Sequence, residues 1–147
     1  MVLCAVLTLG LFACAGGPKP TRLSAEVVTG PSVNVRPDGT PAPVVVRIYG
    51  LRTPEAFRSA DFFALYENDQ TLLGAALLYR EERLMNPGEH WRIQAELPAD
   101  ARYLGAIAAF RDIDRARWRA LSPLRPGKRN RVEVVLENRR IEIHPRH

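Results

Sequence analysis

The 147-residue chain is 46% hydrophobic and 25% charged, a size suited to one domain that buries about two thirds of its unfolded surface. Its formal net charge of +5 is carried by the C-terminal side, where residues 115–147 hold ten Lys or Arg against three Glu. Arginine outnumbers lysine nineteen to two, and these basic residues alternate with apolar ones without the interleaved aromatics of a single-strand binder, so solvated strand faces are favoured over a nucleic-acid surface.

No Lys, Arg, Asp or Glu occurs in residues 1–18. Residues 2–13 are apolar but shorter than the roughly 20 residues that span a bilayer, the character of a signal-peptide core. At its end Leu11-Phe12-Ala13-Cys14 resembles the bacterial lipobox, in which a small residue precedes the cysteine whose thiol carries a thioether-linked lipid. Phe12 is bulkier than usual there, and no basic residue stands ahead of Val2. The expectation is a lipoprotein signal peptide over residues 1–13, a covalent lipid on Cys14 as the only attached group, a flexible tether over residues 14–20, and one domain over residues 21–147. Removal of residues 1–13 leaves Cys14 as the only cysteine, so no internal disulfide forms and a hydrophobic core must supply stability. Ala15 stands where an Asp tends to retain such lipoproteins in the inner membrane, and so fits release to the outer membrane.

Residues 21–28 alternate as a first strand. Gly30, Pro31, Asn34, Pro37, Asp38, Gly39, Pro41 and Pro43 then crowd a single long, exposed connection, which is either a functional loop or slack. The β-branched run Val44-Val45-Val46-Arg47-Ile48-Tyr49 between Pro43 and Gly50 reads as a buried strand. Thr53 as N-cap, Pro54 in the first helical position and Glu55 predict a short helix toward Ala60, and Asp61 caps a second helical turn through Tyr66. Residues 72–85 suit either helix or strand, with strand preferred because Asn86-Pro87-Gly88 closes them with a turn. Trp91, Ile93, Ala95 and Leu97 alternate with Arg92, Gln94 and Glu96, placing one face on a core. Residues 103–110 make a short strand. Val132, Val134 and Leu136 mark another, and Ile141 and Ile143 a last one beyond a turn at Asn138-Arg139. Short strands with Pro and Gly at their joints, plus one helical insertion, argue for a β-sandwich.

Catalytic motifs are missing. His90, His144 and His147 have no partners at metal-ligand spacing apart from the exposed C-terminal His144-Pro145-Arg146-His147, and no metal site is expected. Asp112 and Asp114 sit among Arg residues, so charge balance on a surface turn explains them as well as acid/base work. There is no Gly-rich phosphate loop, nucleophile elbow or cysteine nucleophile beyond Cys14, so no enzymatic activity is expected.

Taken in order, the segments from Pro43 to Leu51, Phe57 with Ala60-Asp61-Phe62-Phe63-Ala64-Leu65, Leu84-Met85-Asn86-Pro87-Gly88-Glu89, and Tyr103 to Asp112 followed by Trp118-Arg119 resemble the type VI secretion lipoprotein family TssJ, also called VasD or SciN. Gly50 and Phe110 depart from residues frequent in that family. The resemblance implies a transthyretin-like β-sandwich with a small helical insertion, lipid-anchored at the periplasmic face of the outer membrane. It also implies assembly as the role: binding the periplasmic C-terminal domain of TssM, with TssL in the same complex, and no nucleic acid. In that family the connection between the first two strands is a principal contact, which here selects residues 30–42. Val33, Asn34, Val35, Arg36 and Asp38 are the contact residues it implies. Trp118 and Arg119 invite a binding role too, but packing of Trp118 over a sandwich end, with Arg119 covering it or pairing with Asp112 or Asp114, is the stronger reading. The competing possibility is another periplasm-facing binding module, for envelope components or carbohydrate, which would display clustered exposed aromatics.

Overall fold

The computed structural model describes residues 16–147; the expected signal peptide, Cys14 and Ala15 lie outside them. Eight strands follow in chain order: β1 (Thr21–Thr29), β2 (Val44–Leu51), β3 (Leu77–Met85), β4 (His90–Leu97), β5 (Tyr103–Ala108), β6 (Arg119–Pro123), β7 (Arg129–Glu137) and β8 (Arg140–Arg146). Helices α1 (Glu55–Ser59) and α2 (Phe62–Leu73) lie between β2 and β3. The strands make two four-stranded sheets, ordered β4-β1-β7-β8 and β3-β2-β5-β6, which is the expected transthyretin-like sandwich with a helical insertion.

Alternation builds the first sheet. Leu23, Ala25 and Val27 of β1, Trp91, Ile93 and Leu97 of β4, and Val132, Val134 and Leu136 of β7 turn inward, and their intervening neighbours face water. The run in β2 is buried nearly throughout because the sheet is covered on both sides. Val44, Val46 and Ile48 join the inter-sheet core, while Tyr49 and Leu51 pack with Phe57, Leu65 and Leu73 under the helices. Gly105 of β5 permits that second contact: a Cβ there would stand 2.9 Å from the Phe57 ring.

Strand directions separate the molecule into two ends. β1 runs antiparallel to β4, with Thr21 opposite Leu97, and parallel to β7, with Arg22 beside Arg129 and Thr29 beside Leu136. The chain therefore enters at the Thr21 end, and the connection to β2 leaves from the other, about 27 Å away at the rise of a strand.

Several local expectations change. Pro54, not Thr53, is the N-cap of α1, its carbonyl accepting from the Arg58 amide at 2.9 Å with no side-chain cap. Asp61 caps α2 as expected, accepting from the Ala64 amide at 2.9 Å. That helix continues to Leu73 through a non-helical Asn68 and a 3-10 turn at Gly74–Ala76, so β3 begins at Leu77 and not at Leu72. Strand β6 was not among the expected strands; it pairs with β5 alone, and its terminal Pro123 suits such an edge.

The helix extends because its buried face carries Leu65, Asp69 and Leu73 at four-residue spacing, and Asp69 has partners on the sheet. Arg47 donates Nη1 to Asp69 Oδ2 at 3.0 Å and to the Tyr66 carbonyl at 2.8 Å, donates Nε to Glu82, and lies 4.2 Å over the Tyr66 ring. Arg80 Nε and the Tyr49 hydroxyl donate to the same carboxylate oxygen at 2.7 and 2.9 Å. The side chains of Arg47 and Asp69 are 8% and 9% exposed, so both charges are withdrawn from water and rely on this group of ion pairs for compensation.

Burial by itself raises the pKa of Asp69, but hydrogen bonds from Arg80 and Tyr49 and the charges of Arg47 and Arg80 outweigh it and hold the carboxyl below its ordinary range. Since the folded value lies below the unfolded one, the ionised carboxylate stabilises the fold at neutral pH, and that contribution is lost as pH falls through the folded value. Asp69→Ala leaves Arg47 and Arg80 to share Glu82 as counter-charge and strips three donors of their acceptor, and should lower the urea-unfolding free energy at neutral pH by about 3–5 kcal/mol. The gap between variant and wild type should narrow as pH falls below the ordinary carboxylate range, where the unfolded chain takes up a proton that the folded Asp69 accepts only at still lower pH; a gap independent of pH would show that the ion pairs contribute nothing.

Candidate partner interface

Residues 30–43 form an ordered loop, and its first anchor is glycine. The Gly30 amide donates to the Leu136 carbonyl at 2.7 Å, and a Cβ at position 30 would stand 1.4 Å from Glu137 Oε2. The glycine leaves room for that carboxylate, whose Oε1 accepts from the Ser32 and Asn138 amides, each at 3.1 Å.

Val33 has no exposed surface and belongs to the core. Asn34, 3% exposed, adopts the left-handed φ of 52° that Asn tolerates, and there its polar groups reach three segments. Its amide donates to the Asn138 carbonyl at 2.7 Å, Nδ2 donates to the Pro43 carbonyl at 2.8 Å, and Oδ1 accepts from the Arg111 amide at 2.9 Å. Val33 and Asn34 thus face inward and hold the loop in place.

The outward part is a turn over Arg36, Pro37, Asp38 and Gly39, closed by the Gly39 amide on the Arg36 carbonyl at 2.9 Å, with Gly39 at a φ of 84°. Asp38 Oδ1 accepts from the Thr40 hydroxyl at 2.6 Å and amide at 3.0 Å, and these bonds hold its carboxyl below the usual range. Arg36 Nη1 donates to the Pro41 carbonyl at 2.7 Å. Val35 is partly exposed, and Arg36, Pro37 and Asp38 are exposed.

Two other connections meet this turn. Residues 109–118 link β5 to β6, and Asn138, at a φ of 54°, turns β7 into β8. The Arg117 amide donates to the Arg139 carbonyl at 2.9 Å, and Arg139 Nη1 donates to Asp112 Oδ2 at 2.7 Å. Between the three segments lies an open groove of about 750 Å³, with Val35 and Pro37 as its apolar wall and Arg36, Arg111, Arg115 and Arg139 around Asp112. Asp112 is balanced by Arg139 and, at 4.0 Å, Arg115, in keeping with charge balance on a surface turn. The contribution of Arg111, Arg115 and Arg139 to one groove with Arg36 was not anticipated. The Arg-flanked segment from Arg111 to Arg115 was the only signal, and nothing local tied it to residue 36.

Trp118 packs edge-on against Phe62 at 5.2 Å, and the Arg119 guanidinium covers its ring at 4.5 Å. Arg119 donates to the Phe57 and Ala60 carbonyls at 2.9 and 2.7 Å, pinning the end of α1, and pairs with neither Asp112 nor Asp114. Phe62, Phe63, Tyr66 and Trp118 form an aromatic group in which Phe63 alone is largely exposed, at 59%. Among the described residues no group of three or more His, Cys, Asp or Glu is placed to hold a metal, and no helix is long and apolar enough to cross a membrane.

Residues 21–139 match the family model described as type VI secretion lipoprotein, VasD, EvfM, TssJ. Among solved structures, the T6SS lipoprotein TssJ1 from Pseudomonas aeruginosa is 37% identical with a TM-score of 0.83, over 87% of this chain and 98% of that one. Serratia marcescens Lip, a membrane-bound component of the Type VI Secretion System, is 26% identical with a TM-score of 0.71, over 87% and 97% of the two chains. A chain of the structure described as T6SS protein TssM C-terminal domain (869-1107) from EAEC is 25% identical with a TM-score of 0.67, over 85% and 98%. No curated protein matches the sequence.

Asn34→Ala removes the side-chain partners of the Pro43 carbonyl and the Arg111 amide and should cost about 2–3 kcal/mol in unfolding free energy. Hydrogen exchange should quicken at Arg111 and across residues 31–42 while the amides of β1 and β7 keep their protection; unchanged exchange at Arg111 would mean that Asn34 does not join these loops.

Proposed function

This chain belongs to the type VI secretion lipoprotein family of VasD, EvfM and TssJ, and on that premise we propose that its loop end binds the periplasmic C-terminal domain of TssM while a lipid on Cys14 holds the opposite end at the outer membrane. The protein is a non-enzymatic lipoprotein of the type VI membrane complex, facing the periplasm. The observation that carries the proposal is the direction of β1: the strand begins next to the tether and ends in the loop at residues 30–43, so anchor and docking site stand at opposite ends of one rigid element.

The partner is supported by the EAEC structure. The match spans 85% of this chain and 98% of the other, so that other chain is about half as long as the TssM segment 869-1107 and is its companion, not the TssM domain itself. The contact surface we infer comprises Val35, Arg36 and Asp38, joined by Arg111, Arg115 and Arg139 across the groove. A preordered turn loses little freedom on binding, and arginines beside an apolar wall are frequent binding hot spots. TssL enters as a member of the same complex. A carbohydrate-binding module is less well supported, since one exposed Phe63 makes no aromatic platform.

In calorimetry with the TssM domain, deletion of residues 31–39 should abolish binding, and Arg36→Glu with Arg139→Glu should weaken it by roughly tenfold or more, the size expected for one or two hot spots. Wild-type affinity in both variants would rule out this loop as the contact. Cys14→Ser should leave TssM binding in solution intact but make the protein extractable from membranes by a high-salt wash; a variant still retained after that wash would show that the thiol-linked lipid is not the anchor.

A further inference from the structure

The end of the sandwich from which the tether departs is ringed with cations. Lys19, Arg22, Arg125, Lys128, Arg129 and Arg131 are all exposed there. Lys19, Arg22, Lys128 and Arg129 line one shallow depression with Pro20 and Gly127. The turn before β7 grips the start of β1: the Gly127 amide donates to Thr21 Oγ1 and the Arg22 amide to the Lys128 carbonyl, both at 2.9 Å. Lys128 is therefore held beside the departing tether. The carboxylates nearby are already engaged, Glu96 by Arg22 at 3.1 Å and Asp100 by Arg52 at 2.6 Å. Among the described residues Lys19, Arg125, Lys128, Arg129 and Arg131 have no ion-pair partner.

We infer that this basic rim binds the anionic phospholipid headgroups of the membrane to which the protein is anchored, as a second, electrostatic attachment that orients the domain. The inference rests on the Cys14 anchor for its geometry. Seven residue steps separate Cys14 from Thr21, a reach of at most about 25 Å, so a lipid on Cys14 keeps this end close to the bilayer surface. A surface potential decays over about 8 Å at physiological ionic strength, so only the tether end feels it. The arginines of the loop groove, about 27 Å further along β1, remain available to a protein partner. A lipid tail alone leaves the domain free to tumble on its tether. The rim turns the tether end toward the headgroups and so points the loop at residues 30–43 into the periplasm.

The test uses the mature chain carrying Cys14→Ser, so that binding does not depend on the lipid. It should co-sediment with vesicles of phosphatidylethanolamine containing about 30% phosphatidylglycerol and not with phosphatidylcholine vesicles, and about 0.5 M salt should release it. Lys128→Glu with Arg129→Glu should reduce the vesicle affinity at least roughly tenfold, in line with the worth of basic residues near an anionic surface. Arg117→Glu with Arg140→Glu, an equal charge change at the far end, should leave it unaltered, with thermal melts verifying that both variants fold. Failure to bind anionic vesicles, equal binding to neutral ones, or equal loss from reversals at the two ends would overturn the inference; any of these outcomes would leave rim cations free for an acidic protein surface instead. Failure of the Cys14 anchor reads out separately, as wild-type protein that a high-salt wash strips from cell membranes.

Discussion

The parallel pairing of β1 with β7 is the constraint on which the rest of this molecule depends. Antiparallel neighbours can be joined by a short turn, but parallel ones need a crossover, and here the crossover is the chain from residue 30 to residue 128. That stretch contains the whole second sheet, both helices and β4, which returns to pair with the free side of β1. The first nine ordered strand residues are thus locked on both edges by segments that fold around them. β1 becomes the rigid spacer between the tether and the loop at the far end.

Electrostatics decides how the insertion sits on this frame. Arg47 interrupts an otherwise apolar strand and Asp69 interrupts the buried face of α2, and each would be costly alone. Together with Arg80 and Tyr49 they form one hydrogen-bonded group, which fixes the face of α2 that meets the sheet. Burial and the bond to Asp69 push the Tyr49 hydroxyl above its ordinary pKa, so it remains a donor. A buried ion pair of this kind adds little stability over apolar packing, and its value is specificity of docking. Apolar residues alone would not distinguish neighbouring helix orientations, whereas a carboxylate that must reach two guanidinium groups does.

The two ends of the sandwich differ in how their exposed side chains are held. At the loop end, the buried Asn34 and the half-buried Glu137 spend side-chain oxygens on backbone amides of neighbouring segments, so Val35, Arg36 and Asp38 project from a preordered turn. At the tether end, the cations lie on strand ends and a tight turn, exposed, and among the described residues all but Arg22 have no ion-pair partner. Both surfaces are basic, but they lie farther apart than the screening length and so act independently.

Much of this was legible in the sequence where the signal was local. The two-residue alternation of Trp91, Ile93 and Leu97 and of Val132, Val134 and Leu136 is a property of one segment, and it announced the inner faces of β4 and β7. Asp61 as a cap and Asn138 as a turn residue depend only on backbone within a few positions, and both were readable. The extension of α2 to Leu73 was hidden, since Asp69 appears polar and solvent-facing until Arg47 and Arg80 approach from the sheet. The inward turn of Val33 and Asn34 was hidden too, because the partners of Asn34 are distant along the chain: Arg111 lies 77 residues away and Asn138 (138 − 34) 104. The sequence by itself determined the sandwich class and the position of the long loop, both of which follow from short-range periodicity and composition. Only the tertiary structure decided which loop residues face outward, which arginines share their groove and which end of the sandwich bears the free cations, because each of these is set by strand pairing between distant segments.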